Sequence, residues 1–161
     1  MSLFLEDYRI GDTVHYGSHT FTAEAIIDFA SKYDPQPFHV DAAAAETSVF
    51  GGLCASGWHT AAIWMRLMVD AENRALAEFL AAGKPIGCMG PSPGFTDMRF
   101  LKPVRPGDTL TYSGVVTGVE DWRGRPKWGL MASHNEAHNQ DGQKVFEFNG
   151  KVLVERRVPL T

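Results

Sequence analysis

Hydrophobic and polar positions change rhythm twice along this chain. Residues 13–21 (TVHYGSHTF) alternate well enough for a strand, after a turn signal at Gly11-Asp12. From Thr22 the period lengthens, with Thr22 as N-cap and Ala25, Ile26, Phe29 and Ala30 on one helical face. That helix must stop near Tyr33, because Pro35 and Pro37 have no N–H to donate and push Asp34 and Gln36 toward extended geometry. Residues 34–39 are therefore expected to form a fixed loop. Asp41 can cap a short alanine-rich turn through Ala45, and Gly51-Gly52 marks either a close backbone approach or a tight turn. A long helix is expected to begin at Ser56 or Gly57. Trp58, Ala61, Ala62, Met65, Met68 and Val69 would be its core face, opposed by a solvated stripe of Arg66, Asp70, Arg74 and Glu78. Unbroken to Leu80 it would span about 36 Å, with a bend near Asp70 left open, and Gly83 and Pro85 end the pattern. Beyond Ile86 the period shortens to two. Strands are expected over 95–101, 109–119, 127–139 and 143–156, the last two joined by a hairpin at Asn139-Gln140-Asp141-Gly142. Helices first and strands afterwards mark an α+β chain, and with neither repeat nor linker residues 1–161 read as one domain.

Composition narrows the partners. The 161 residues are 44% hydrophobic and 21% charged, enough for one well-packed domain. A formal charge of -4 gives no general attraction to nucleic acid or to an anionic membrane. The opening MSLFLEDYRIGD lacks the basic and apolar regions of a signal peptide, and no apolar window is long enough to span a bilayer. Cys54 and Cys88 are too few for a disulfide framework, so the expected location is the cytoplasm. Cys54 reads as a small buried residue, since nothing cationic adjoins it in sequence to activate a thiolate.

The candidate chemistry lies in Asp34-Pro35-Gln36-Pro37-Phe38-His39. Five residue steps reach at most roughly 17 Å, so the carboxylate and imidazole can converge on one small target without being obliged to. Converging on one water, they could take its proton as it attacks and return a proton to the product. An isolated pair at this spacing is more often a turn aspartate and a half-buried histidine. At the start of the long helix, exposed N–H groups and the positive end of the dipole favour an oxyanion, which singles out Gly57. His59, one turn in, fits packing or substrate lining better than a second base. Elsewhere, His134, Glu136 and His138 alternate and read as the wet face of a strand more readily than as a zinc site. Lys102 and Arg105, or Arg123, Arg125 and Lys127, could meet phosphates but read first as solvated loop charge. With no dinucleotide, phosphate-loop or nucleophile-elbow motif, no cofactor is called for.

The Asp34 to His39 run resembles the hydratase-2 motif of the MaoC-like dehydratases, which include the R-specific enoyl-CoA hydratases. The similarity continues through Ser56-Gly57, where many members have His-Gly, and through Phe100-Leu101-Lys102-Pro103-Val104-Arg105-Pro106-Gly107-Asp108. Gln36 stands where the family usually has Asn, and Ala62 stands where some R-specific hydratases have serine. The resemblance implies a hot-dog fold, a long antiparallel sheet around a central helix, with the active site at a homodimer interface and a homodimer or dimer of dimers as the assembly. It further implies reversible addition of water to a trans-2-enoyl-CoA, with Asp34 and His39 holding the water and the Gly57 amide binding the thioester oxygen. Ser56, Trp58 and His59 would line the substrate. An acyl-CoA thioesterase on the same fold and a non-catalytic acyl-thioester-binding protein are the alternatives.

Overall fold

The computed structural model describes residues 3–122 and 124–160. A 3-10 turn at Leu5–Asp7 leads into β1 (Thr13–Thr20), and three helices follow: α1 (Ala23–Tyr33), α2 (Pro37–Val40) and α3 (Ala42–Glu46). The long helix α4 (Gly57–Ala81) then precedes β2 (Gly94–Phe100), β3 (Thr109–Asp121), β4 (Trp128–His138) and β5 (Lys144–Glu155). The strands form one sheet in the order β1-β3-β4-β5-β2, antiparallel throughout. With α4 laid against it, this is the hot-dog arrangement.

The caps expected from sequence hold the helices in place. Thr22 Oγ1 accepts the Ala25 N–H, and Asp41 Oδ1 accepts those of Ala43 and Ala44. One expectation needs correction: residues 34–39 are not all loop. Pro37 opens α2, since a ring that fixes φ and lacks an N–H suits the first position of a helix, and His39 therefore rides on a helical turn.

The core lies between the helices and one face of the sheet, where Phe21, Ile26, Leu110, Tyr112 and Phe146 are fully buried. Tyr112 donates its hydroxyl proton to the Thr60 carbonyl at 3.1 Å, tying α4 to β3. The predicted core face of α4 is the second correction. Ala61 and Met68 do pack inward, beside Ile63, Trp64, Leu67 and Ala71. Trp58, Met65 and Val69 remain 57%, 49% and 40% exposed, and Ala62 is exposed with them. The helix carries two apolar stripes, and a period of 3.6 does not say which one meets the sheet. The helix is unbroken at Asp70, which pairs with Arg66 at 2.8 Å on the exposed stripe.

Candidate active site

Asp34 is the residue at which α1 ends, its N–H bonded to the Ala30 carbonyl at 2.8 Å. α2 then turns His39 back toward it. The His39 ring is buried and its Nδ1 lies 2.7 Å from the Cys54 carbonyl oxygen. A carbonyl only accepts, so Nδ1 carries the proton and Nε2 is left to face Asp34 Oδ2 at 3.4 Å. Phe38 packs edge-on to the imidazole, with ring centroids 4.5 Å apart.

Two donors hold the carboxylate. Ser56 Oγ donates to Asp34 Oδ2 at 2.7 Å, and Gln36 Nε2 donates to Oδ1 at 2.9 Å. Burial pushes the Asp34 carboxyl up, but these two hydrogen bonds and the nearby His39 outweigh it, leaving the group below the ordinary aspartate value. When the imidazole is neutral, Nε2 and the carboxylate are two acceptors facing one another, which a water can satisfy by donating to both.

A cleft of about 340 Å³ opens beside His39 and is walled by Phe50, Gly57, Thr60, Phe100 and Lys102 among others. This is within the usual range for a small-molecule site. Ser56 caps α4 by accepting the Trp58 N–H at 3.2 Å, and Gly57 is the first helical residue, so its N–H lies outside the helix's own hydrogen-bond ladder. The Phe100 ring lies against the Gly57 Cα, and a Cβ at that position would stand 2.7 Å from it. A second cavity, about 150 Å³ and bounded by Tyr16, Glu72, Phe79 and Met131, shares no wall residue with the cleft.

Asp34, His39, Ser56 and Gly57 are therefore brought together, while two other expected site residues go elsewhere. Trp58 points outward, touching Phe100 at a centroid distance of 6.5 Å. His59 turns away from the cleft to stack on Phe29 of α1, 4.5 Å away and 4° from parallel, with Phe21 edge-on at 5.0 Å. Burial lowers its pKa to about 4, and its Nδ1 has no hydrogen-bond partner among the described residues. Cys54 Sγ sits 3.7 Å from His39 Nδ1, and burial pushes its thiol up, so this residue serves the site through its backbone carbonyl.

Of the basic residues, Arg105 is already engaged. Its guanidinium donates to the carbonyls of Phe50, Gly52 and Leu53, which closes the Gly51-Gly52 turn over the site and removes it as a phosphate ligand. The Gly52 Cα lies against that guanidinium, so the double glycine serves both as a turn, with both φ values positive, and as a close approach. Lys102, bonded to Gln143 at 3.1 Å, stands on the cleft wall. Arg125 and Lys127 flank the β3–β4 turn, and the strand that joins that end to the cleft wall at Val145 runs to Glu155, roughly 30 Å away. Arg123 lies outside the described residues. His134, Glu136 and His138 share one strand face, where Lys144 pairs with Glu136 at 2.7 Å and Glu147 at 3.1 Å. Among the described residues no helix is long and apolar enough to cross a membrane.

The sequence and the fold are similar to those of known proteins. The sequence model of the MaoC-like domain matches residues 7–137. The uncharacterized protein YdeM of Bacillus subtilis is 30% identical over 152 residues, covering 94% of this chain and 99% of that protein. The crystal structure of the MaoC-like dehydratase from Rhodospirillum rubrum is 40% identical, with 99% of this chain and 100% of that one covered and a TM-score of 0.80. The unliganded R-hydratase PhaJ1 from Pseudomonas aeruginosa shares the fold at 22% identity and a TM-score of 0.65, over 99% of this chain and 92% of that one. Matched over most of its length by the domain and by these relatives, the chain belongs to the MaoC-like domain family.

Proposed function

We propose that this protein is a hydratase/dehydratase that adds water reversibly across a trans-2-enoyl-CoA and works as a cytoplasmic homodimer. The observation that carries the reading is the 3.4 Å approach of His39 Nε2 to Asp34 Oδ2, with His39 Nδ1 anchored on the Cys54 carbonyl, beside a cleft that also exposes Gly57. A water donating to both acceptors presents its oxygen lone pair to the β-carbon. As the C–O bond forms, one water proton passes to the pair and the π electrons move to the thioester oxygen. The Gly57 N–H receives that developing enolate charge, a contribution worth about 3 kcal/mol in comparable sites. The proton is then returned to the α-carbon, and general acid–base transfer of this kind accounts for roughly 10²- to 10⁴-fold. Support for the second copy comes from α4, whose outward stripe of Trp58, Ala62, Met65 and Val69 is apolar and uncovered in a single chain.

The test is a panel of trans-2-enoyl-CoAs of graded chain length, followed by loss of the conjugated double bond and by release of free thiol. Hydration without thiol release is expected, falling at least a hundredfold in Asp34→Asn and His39→Ala. Thiol release with the enoyl chromophore intact would instead identify a thioesterase, and binding without either change a non-catalytic receptor.

A further inference from the structure

Ser56 commits its one hydroxyl proton and one of its two oxygen lone pairs. Its oxygen accepts the Trp58 N–H that caps α4, and its single proton goes to Asp34 Oδ2 at 2.7 Å. The residue is 1% exposed, so this geometry is enforced by packing and has little left to give a substrate. The oxygen that it holds is the one that approaches His39, while Gln36 holds the other. Three elements therefore fix one carboxylate: the turn after α1 supplies Gln36, α2 supplies His39, and the mouth of α4 supplies Ser56.

We propose that Ser56 is a positioning residue, tying Asp34 to the start of α4 so that it stays ionised during turnover and the water's proton goes to His39 Nε2. The assignment rests on the hydratase reading above and deepens it. The water O–H bond breaks toward Nε2 as the oxygen joins the β-carbon, and the displaced π pair reaches the thioester oxygen. The resulting imidazolium, its Nδ1–H still on the Cys54 carbonyl and its charge balanced by Asp34, gives the proton to the α-carbon and reforms the carbonyl. Asp34 is the counter-ion throughout. Charge-assisted hydrogen bonds are the strong class, so removing one of two from the carboxylate should be felt at its proton affinity. His39 is the titratable group that faces Asp34; Cys54 lies on the other side of the imidazole.

The helix-capping role and the tether can be separated. Ser56→Gly removes the hydroxyl yet remains a tolerable N-cap, Ser56→Ala removes hydroxyl and cap, and Ser56→Thr keeps both. With the full-length chain labelled at aspartate carboxyl carbons, the Asp34 resonance is titrated by NMR. It should titrate at higher pH in the glycine and alanine variants than in wild type, and threonine should restore the wild-type midpoint. On the enoyl-CoA that wild type hydrates best, kcat should fall roughly tenfold or more in the first two variants with KM within twofold. An unmoved Asp34 titration in the glycine variant would overturn the proposal, as would a raised KM with kcat intact, which would make Ser56 a substrate contact. The carboxyl titration needs no turnover, so failure of the hydratase reading on the substrate panel is distinguishable from failure of the tether.

Discussion

The Phe100 ring occupies the space that a side chain on residue 57 would need. A Cβ there would meet Phe100 Cε2 at 2.7 Å, and Phe100 itself stacks on the buried Phe146 at 5.5 Å. Glycine at the helix start is thus set by the cleft wall. In a helix, Gly→Ala ordinarily gains up to about 1 kcal/mol, whereas overpacking costs about 1–3 kcal/mol. Gly57→Ala should therefore lower the melting temperature and reduce hydration at least tenfold. Adding Phe100→Ala should recover part of the stability, giving a coupling above about 0.5 kcal/mol in a double-mutant cycle. An alanine variant more stable than wild type, with full activity, would show that the ring yields freely.

Arg105 is expected to be a stability residue. Its guanidinium serves three carbonyls of the turn that carries Phe50 onto the cleft. Arg105→Met should cost about 2 kcal/mol or more in urea unfolding, and raise hydrogen exchange at the Gly51 to Leu53 amides. Arg105→Lys should recover less than half, because an ammonium cannot fork across three acceptors. Full rescue by lysine would mean that charge alone matters at this position.

His59 makes stability depend on pH in a definite direction. Its folded pKa is about 4, below the ordinary 6.5, because burial against Phe29 and Phe21 disfavours the charged ring. The unfolded chain therefore binds the extra proton first. Stability contributed by the neutral ring is fully present above pH 6.5 and declines as pH falls toward 4, by at most about 3 kcal/mol. Urea midpoints at pH 7 and 4.5, at fixed protein concentration, should show this slope in wild type and a shallower one in His59→Phe. Equal slopes would place the acid sensitivity elsewhere.

Met65 lies in the middle of the outward stripe of α4. If two copies meet there, Met65→Glu places like charges across the contact. Sedimentation should show wild-type dimers and a shift to monomer in the variant, with helical circular dichroism unchanged. A wild-type monomer, or a variant that still dimerises at the same concentration, would locate the interface on another face.

Much of this was legible in the sequence, for local reasons. Thr22, Asp41 and Ser56 announce three helix starts, and the prolines at 35 and 37 mark where α1 must stop. Strand ends fall within about two residues of expectation because the alternation ends at turn residues such as Asn139 and Gly142. What the residues could not reveal was direction. The burial of α4 depends on which of two apolar stripes the sheet selects, and His59 and Arg105 depend on where their tips go once the backbone is fixed. The bond between Ser56 and Asp34 joins residues 22 apart, and no local pattern encodes such a meeting.

The strand order also sets a timetable for the growing chain. Among the described residues β2 pairs with β5 alone, and β5 begins more than forty residues later, at Lys144. Phe100 and the cleft wall beyond it cannot lock into place until β5 has left the ribosome. Non-local pairings of this kind form slowly. Until then, the edge that carries Phe95 and Phe100 is a sticky surface, and truncation before β5 should yield chains that need a chaperone to stay apart.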